Sequence, residues 1–395
     1  MSLKKKNPKI AVVSFGMSDS IIPLLKNISE KGYCEISLFL TYSQTSGLEG
    51  IIDIKKDKLN SGIFEKSVIK KMFDNKISDY IDGAYQINIY IFPSLKLKSI
   101  DNFKLSFQFA KRLRQYDIIH FNGQHGVLPY LQFLLINHPQ IYSIHDYIGH
   151  TGERKWFADF MNKFIIFVGK QIIVHNKNTF VEIIKNFPKL KKKINYVPFG
   201  ILEVYKLFGD ENIKERENTI LFFGRISPYK GVEYLVEAAK RLKKKLPNFH
   251  VIIAGGGKFY FDISDIKNDS TFIIINRYIS NDELADLIRQ ATLVVCPYTD
   301  ATQSGVVMTA FAFNKPVIAS NVGGFKDVIV DNKTGKLVPP KNSDKLGKTI
   351  FETLQDKKKL EDMKENISVL KQSREFSWSE IAEKTVDIYR RSIDT

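Results

Sequence analysis

Four groups of residues in this 395-residue chain have types and spacings that could do chemistry. The densest is Phe223-Gly224-Arg225-Ile226-Ser227-Pro228-Tyr229-Lys230-Gly231, where an apolar strand-like run gives way to a helix-like one. Ligands of α/β sheets bind at such junctions, and the N-terminus of the following helix favours anions. Gly224 lets a backbone come close, Arg225 supplies a planar fork of donors and Lys230 a point charge, a pair suited to a diphosphate. A turn carrying two solvated cations has the same spacing. A second glycine loop, Ala254-Gly255-Gly256-Gly257-Lys258, lacks the G-x-G-x-x-G pattern of a dinucleotide fingerprint. The third group, Pro297-Tyr298-Thr299-Asp300-Ala301-Thr302-Gln303-Ser304-Gly305-Val306, offers small residues with backbone N–H groups at a helix start, an anion nest. Thr309 lies one turn further on and could reach the same ligand, although a polar loop before a core helix would look alike.

The fourth group is histidine. His120, His125, His145 and His150 fall in or just after two strand-like runs, and His145-Asp146 begins at a strand end, where catalytic groups of such sheets collect. A histidine there serves as a general acid or base, as a ligand to a hydroxyl, or as a satisfied structural residue. Zinc is not expected, because no cysteine joins the set and metallohydrolase spacings are absent.

These residues must be positioned by the elements around them. Apolar runs recur at Ile10–Phe15, Glu35–Leu40, Ile87–Phe92, Asp117–Phe121, Ile141–His145, Gln171–His175 and Ile194–Phe199. A second series follows at Thr219–Phe223, His250–Ala254, Phe272–Asn276, Leu293–Pro297, Pro316–Ser320 and Gly335–Val338. Nearly continuous apolarity predicts strands buried on both faces, as in parallel sheets covered by helices. Helix patterns alternate with them. Val232–Lys245 carries one apolar stripe, and capping boxes at Ser280–Glu283 and Ser377–Glu380 open two more. The reading is two doubly wound, Rossmann-like α/β domains, spanning 1–200 and 201–375, with 376–395 as a terminal helix. The hinge falls between Phe199 and Asn218, and segments 44–86 and 93–104 read as first-domain loops or insertions.

Composition is that of a globular protein, with 44% hydrophobic and 26% charged residues. Cys34 and Cys296 read as reduced core thiols in strand-like runs. No apolar run reaches the ~18 residues that cross a bilayer, and Lys4–Lys6 before Ile10 reads as a strand lead-in rather than a signal peptide, which points to the cytoplasm. The net charge of +16 fits a lysine-rich surface, an anionic membrane, a phosphorylated small molecule or nucleic acid, though no nucleic-acid module is recognisable. Two stretches, Asn102–Gln115 and Trp156–Phe164, mix aromatic residues with Lys and Arg. Helices of that composition lie on anionic membranes or pack a core.

Taken in order over residues 219–340, the second half resembles the nucleotide-sugar domain of family 4 glycosyltransferases. The matching elements are Gly224-Arg225 with Lys230-Gly231, the Ala254–Gly257 loop, Asn281–Tyr298, Lys315–Ser320 with Val322-Gly323-Gly324, and Asp331–Pro339. Ile10–Gly16 and His145-Asp146 fall where the family has its first loop and its acceptor-side histidine. The last helix, with Trp378 and Tyr389, resembles one that crosses back to the first domain.

The resemblance implies a GT-B fold, two Rossmann-like domains facing a cleft. It implies transfer of a sugar from a UDP- or GDP-linked donor with retention, without metal or other cofactor. Arg225 and Lys230 would hold the diphosphate and stabilise charge on the leaving group. The backbone at Ser304, Gly305 and Val306 would contact phosphate or sugar, that at Arg277 and Tyr278 the base, with Gly16 and Gly256 lining the donor. His145 would sit at the donor–acceptor junction, with His120, Asp146 and His150 on the acceptor side. A lipid-linked saccharide or glycan acceptor, met by a cytoplasmic enzyme at the membrane's inner face, completes that expectation. One departure is visible. The family's two glutamates, separated by seven residues, fall on Ala301 (beside Asp300) and Thr309. A catalytically silent nucleotide-sugar-binding or scaffold subunit, and a nucleotide-sugar epimerase of the same fold, are the rival readings.

Overall fold

The computed structural model describes residues 7–43, 50–52, 60–64, 73–94, 99–123, 128–147, 156–246, 248–301 and 305–393. Two parallel sheets dominate it. The first has the order β3-β4-β2-β1-β5-β6-β7-β8, built from β1 (Lys9–Phe15), β2 (Glu35–Ser43), β3 (Gly62–Phe64), β4 (Gln86–Phe92), β5 (Ile118–Asn122), β6 (Gln140–Ile144), β7 (Gln171–Val174) and β8 (Ile194–Tyr196). The second runs β11-β10-β9-β12-β13-β14, from β9 (Thr219–Phe223), β10 (His250–Ala254), β11 (Phe272–Ile275), β12 (Leu293–Cys296), β13 (Val317–Ser320) and β14 (Gly335–Val338). The apolar runs become strands because each face of each sheet needs an apolar cover. On β1, Ile10 and Val12 join one core with Leu38 and Ile141, while Ala11 and Val13 join the opposite core with Phe39 and Phe121.

Sequence reading missed β3, which pairs antiparallel with β4 at the sheet edge. Three residues in a Ser- and Lys-rich stretch carry too little apolar periodicity to announce a strand. Cys34 also sits one residue ahead of β2 rather than inside it, but it is buried, as is Cys296 on β12. Burial holds both thiols up at about 12.

Helices cover both faces of the first sheet. Ser18–Glu30 and the C-terminal helix Trp378–Ile393 share one face, where Ile21, Ile28, Ile381, Val386 and Tyr389 meet Ile10 and Val12. The ion pair between Lys31 and Glu383, 2.6 Å, closes the rim of that contact. The chain crosses between the domains twice, and the two crossings bind each other: Ile201 N–H donates to the Phe376 carbonyl (3.3 Å) and Trp378 Nε1–H to the Ile201 carbonyl (2.7 Å). Gly200 is required there, since a Cβ would stand 2.5 Å from the Trp378 indole.

Candidate functional site

The C-terminal edge of the second sheet is built by laying backbone on backbone. Gly224 N–H donates to the Ala254 carbonyl (3.0 Å), Gly255 N–H to Ile275 (3.0 Å), and Ile226 N–H to Gly256 (2.9 Å). A Cβ on Gly255 would lie 2.0 Å from the Gly224 oxygen, and one on Gly257 2.2 Å from that of Ile226. The glycines therefore let three loops stack above β9, β10 and β11. Gly224 itself has φ 117°, and the space where its Cβ would stand reaches Val306 at 3.9 Å. The helix Gly305–Ala312 thus opens against the first glycine loop, with Arg225 exposed beside it. A positive helix end, loop amides and a residue bearing a guanidinium thus share this edge, a set that suits a phosphate group.

Lys230 is held by aromatic rings. Its Nζ lies 3.9 Å from the centre of the Tyr298 ring and 5.0 Å from that of Tyr229, and the two rings meet edge to face at 6.2 Å. Tyr298 is fully buried and backed by Phe325 (5.2 Å). Thr299 N–H donates to the Tyr229 carbonyl (2.8 Å), and a Cβ on Gly231 would strike the Pro297 oxygen at 2.2 Å. The turn bearing Lys230 is therefore docked onto the loop bearing Tyr298. A ring face attracts an ammonium group and fixes where its charge stands.

The facing edge, on the first domain, carries a row of polar side chains. Register pairs Ser14 of β1 with Asn122 of β5, and Asn122 with Ser143 of β6. Ser14 Oγ donates to the Gly16 carbonyl (2.7 Å), Asn122 Nδ2 donates to Ser14 Oγ (3.1 Å), and Asn122 Oδ1 meets His145 Nε2 at 2.9 Å. Read as a chain of donors, this makes Nε2 the protonated nitrogen of His145 and puts its lone pair on Nδ1. His145 stacks on His175, ring centres 4.9 Å apart, and His175 Nδ1–H donates to the Val197 carbonyl (2.8 Å). His175 Nε2 is buried without a hydrogen-bond partner.

The three imidazoles of this edge are held neutral. Burial, then the neighbouring His175, lowers His120 to about 3; burial, then His120, lowers His145 to about 4. Burial, then His145, lowers His175 to about 3. A base whose folded pKa is depressed contributes stability above its unfolded value, near 6.5, and loses it as pH falls toward the folded one. The thermal midpoint should accordingly fall between about pH 6.5 and pH 4, with a shallower slope in a His120→Asn variant. A midpoint that is flat or rises on acidification would contradict the buried neutral cluster.

The structure sorts the residues singled out in the sequence. Gly224, Arg225, Lys230, Gly256, Gly305 and Val306 share the second-domain edge, with Asp300, partly buried, on the loop that follows β12. The Arg277 guanidinium pairs with both oxygens of Glu283 (2.6 and 2.7 Å), so only its backbone, 3.5 Å from where a Gly256 Cβ would stand, faces the glycine loop; Tyr278 follows it, exposed. Gly16 (φ 76°), His145 and exposed Asp146 share the first-domain edge.

Two expectations change. His120 is buried, with Nδ1 2.8 Å from Tyr389 Oη and Nε2 2.8 Å from Ser143 Oγ, so it ties the C-terminal helix to the sheet instead of meeting an acceptor. Thr309 is buried and donates its hydroxyl proton to the Gly305 carbonyl (2.8 Å), closing on its own helix rather than reaching for a ligand. His125, His150 and Ser304 lie outside the described residues. Sequence reading passed over Asn122, His175 and the role of Tyr298. Asn122 and His175 end or follow strands and were findable by that placement; the ring contact of Tyr298 depends on docking between loops 70 residues apart and leaves no local signal.

Two Rossmann-like domains joined by a double crossing, with glycine loops on one edge and a histidine row on the other, define the GT-B fold. Solved structures agree along almost the whole chain. Sucrose-phosphate synthase from Thermosynechococcus elongatus superposes with a TM-score of 0.68 at 18% identity, covering 97% of this chain and 98% of that one. Anabaena Alr3699/HepE in complex with UDP and glucose gives 0.69 at 15% identity, covering 97% and 100%.

Within that fold, residues 203–368 match the family model described as Glycosyl transferases group 1, and this is the half that carries the glycine loops and the helix Gly305–Ala312. An uncharacterized glycosyltransferase of Methanocaldococcus jannaschii is 29% identical over 189 residues, 46% of this chain and 47% of its own. Alpha-D-kanosaminyltransferase of Streptomyces kanamyceticus is 28% identical over 174 residues, 43% and 45%. The chain thus spans about half the length of these curated relatives.

Proposed function

We propose that this chain is a glycosyltransferase that moves a sugar from a UDP- or GDP-linked donor to a lipid-linked saccharide or glycan acceptor, in the building of a surface polysaccharide or glycolipid, with retention and without metal. The observation that carries the reading is the second-domain edge, where the glycine loop bearing Arg225, the ring-seated Lys230 and the helix Gly305–Ala312 follow neighbouring strands, with Gly224 against Val306. The similarity of residues 203–368 to group 1 glycosyl transferases supports it, as do the UDP complexes among the fold neighbours.

In the reaction, the bond from the anomeric carbon to the diphosphate oxygen breaks and one to the acceptor hydroxyl oxygen forms. The hydroxyl proton leaves on the departing phosphate. Arg225 and Lys230 stabilise the charge that develops on that leaving group. His145 stands at the donor–acceptor junction, its Nε2 held by Asn122 Oδ1, and lines the site as a neutral polar ring. Gly16, Gly256, the Arg277–Tyr278 backbone and Asp300 line the donor, and Asp146 faces the acceptor.

Thermal unfolding against a panel of UDP-, GDP-, ADP- and dTDP-sugars, with and without EDTA, tests this. A ligand at a hundred times its Kd adds about 2.7 kcal/mol to the folded state, a shift of several degrees. The expected result is a shift with one nucleotide family, unchanged by EDTA; no shift with any of them would overturn the donor assignment. One observation favours a second reading: where the family's glutamates would stand, Ala301 is apolar and Thr309 is sealed onto its own helix. Donor binding with no transfer to any glycan acceptor would favour a silent nucleotide-sugar-binding subunit.

A further inference from the structure

The first sheet's other face is covered by four consecutive helices, Ile100–Leu113, Leu128–Leu134, Trp156–Val168 and Lys177–Asn186. Each turns an apolar stripe inward. On Ile100–Leu113 this is Phe109, Ala110 and Leu113; on Trp156–Val168 it is Ile165 and Ile166. A core-facing helix needs only that stripe, with polar residues opposite. On Ile100–Leu113 and Trp156–Val168 the outward side carries large apolar residues as well, set among charged ones. Ile100, Phe103 and Phe107 stand outward at helical spacing, as do Phe160, Phe164 and Phe167, with Phe133 between them in chain order.

Every exposed phenylalanine among the described residues lies on this one layer, the six of them between 38% and 76% exposed. Phe103 meets Tyr130 edge to face at 5.5 Å and Phe167 meets Phe187 at 5.3 Å, so the outward rings link neighbouring helices. Together they present on the order of 500 Å² of apolar surface, the size of the largest apolar patch on a typical monomer, and such patches are often functional. Exposed Lys104, Lys111, Lys163 and Lys185 stand on the same helices, with exposed Arg114 and Lys189 just past the ends of two of them, against Asp101, Asp159 and Glu182.

We propose that this aromatic layer is the face by which the protein lies on an anionic lipid bilayer, its phenylalanines entering the headgroup boundary and its lysines pairing with lipid phosphates. Rings that insert, flanked by cations, are the chemistry of an interfacial surface. A second copy of the chain is the poorer occupant, because a two-fold contact would bring like charges together. The surface gives the membrane-bound acceptor of the proposed function a place to meet the enzyme, but vesicle binding needs neither donor nor turnover. Each can therefore fail without the other.

Flotation with vesicles of phosphatidylglycerol and phosphatidylcholine in equal parts, and of phosphatidylcholine alone, tests it on the full chain without nucleotide. The wild type is expected to prefer the anionic vesicles, less so at high salt. F107S/F133S/F164S should lower partition at least about tenfold at an unchanged thermal midpoint. K104Q/K111Q/K163Q should lose about fivefold per cation on anionic vesicles only. Y260S/V369S, at exposed apolar positions of the second domain, should bind as the wild type does. Wild-type protein that ignores both vesicles would overturn the proposal, as would triple variants that partition normally. So would a concentration-dependent dimer that F107S/F133S/F164S abolishes, which would assign the layer to a second copy.

Discussion

Replacing Lys230 by alanine is expected to weaken UDP or GDP binding by about tenfold to a hundredfold, and Arg225→Ala by a similar factor, because each removes a charge-assisted contact of roughly 1.5–3 kcal/mol. The two cations differ in how they are held. Arg225 is exposed and brings a planar fork, whereas Lys230 is fixed by the ring of Tyr298 at 3.9 Å. The seat has its own signature. Tyr298→Phe keeps the ring face and should bind nucleotide nearly as the wild type does. Tyr298→Leu frees the ammonium group and should cost several-fold in affinity while Lys230 is still present. Titration calorimetry with the free nucleoside diphosphate reads all four variants, and a thermal midpoint for each separates lost binding from lost fold. Unchanged affinity in both Arg225→Ala and Lys230→Ala would leave a turn with two solvated cations, the alternative the spacing always allowed. A Tyr298→Leu variant indistinguishable from Tyr298→Phe would remove the ring from the account.

The strands were legible because burial on both faces forces long apolar runs, and Thr219–Phe223, His250–Ala254 and Gly335–Val338 stand where their residues place them. The glycine-loop edge of the second sheet was legible for a related reason: glycine and cation at a strand-to-helix junction are local features. What the sequence could not display is where side chains point once elements pack. His120 and His145 look alike as strand-borne histidines. Only the C-terminal helix, arriving with Tyr389 from 269 residues away, turns one into a tie while the other stays at the edge. Thr309 fails for a different reason. A hydroxyl inside a helix can donate to the carbonyl four residues back, and here it does so with Gly305. The basic aromatic helices were ambiguous for the same geometric cause, since Phe107 and Phe109, two positions apart, face solvent and core respectively.

Gly255→Ala and Gly256→Ala, adjacent and chemically identical changes, are expected to part company. Gly255 has φ 148°, and an added Cβ would lie 2.0 Å from the Gly224 oxygen and 2.7 Å from its carbonyl carbon. Neither loop can yield without breaking the Gly224–Ala254 and Gly255–Ile275 hydrogen bonds that stack them. Strained backbone and a backbone collision together should cost about 3 kcal/mol or more, lowering the second domain's midpoint by roughly 10 °C. Nucleotide binding would go with it, because the loops that are displaced carry Gly224 and Arg225. Gly256 has no positive φ, and its Cβ would meet only ordinary contacts, the nearest at 3.5 Å on the Arg277 carbonyl carbon. Gly256→Ala should therefore melt within about a degree of the wild type. Its effect belongs to the ligand: if the nucleotide lies against this loop, the methyl group intrudes on it, and affinity falls several-fold with stability intact. Calorimetric melting and nucleotide titration of the two variants side by side decide the matter. Equal melting would mean that the backbone stack is looser than its hydrogen bonds imply, and equal nucleotide affinity for Gly256→Ala and the wild type would move the donor away from the second glycine loop.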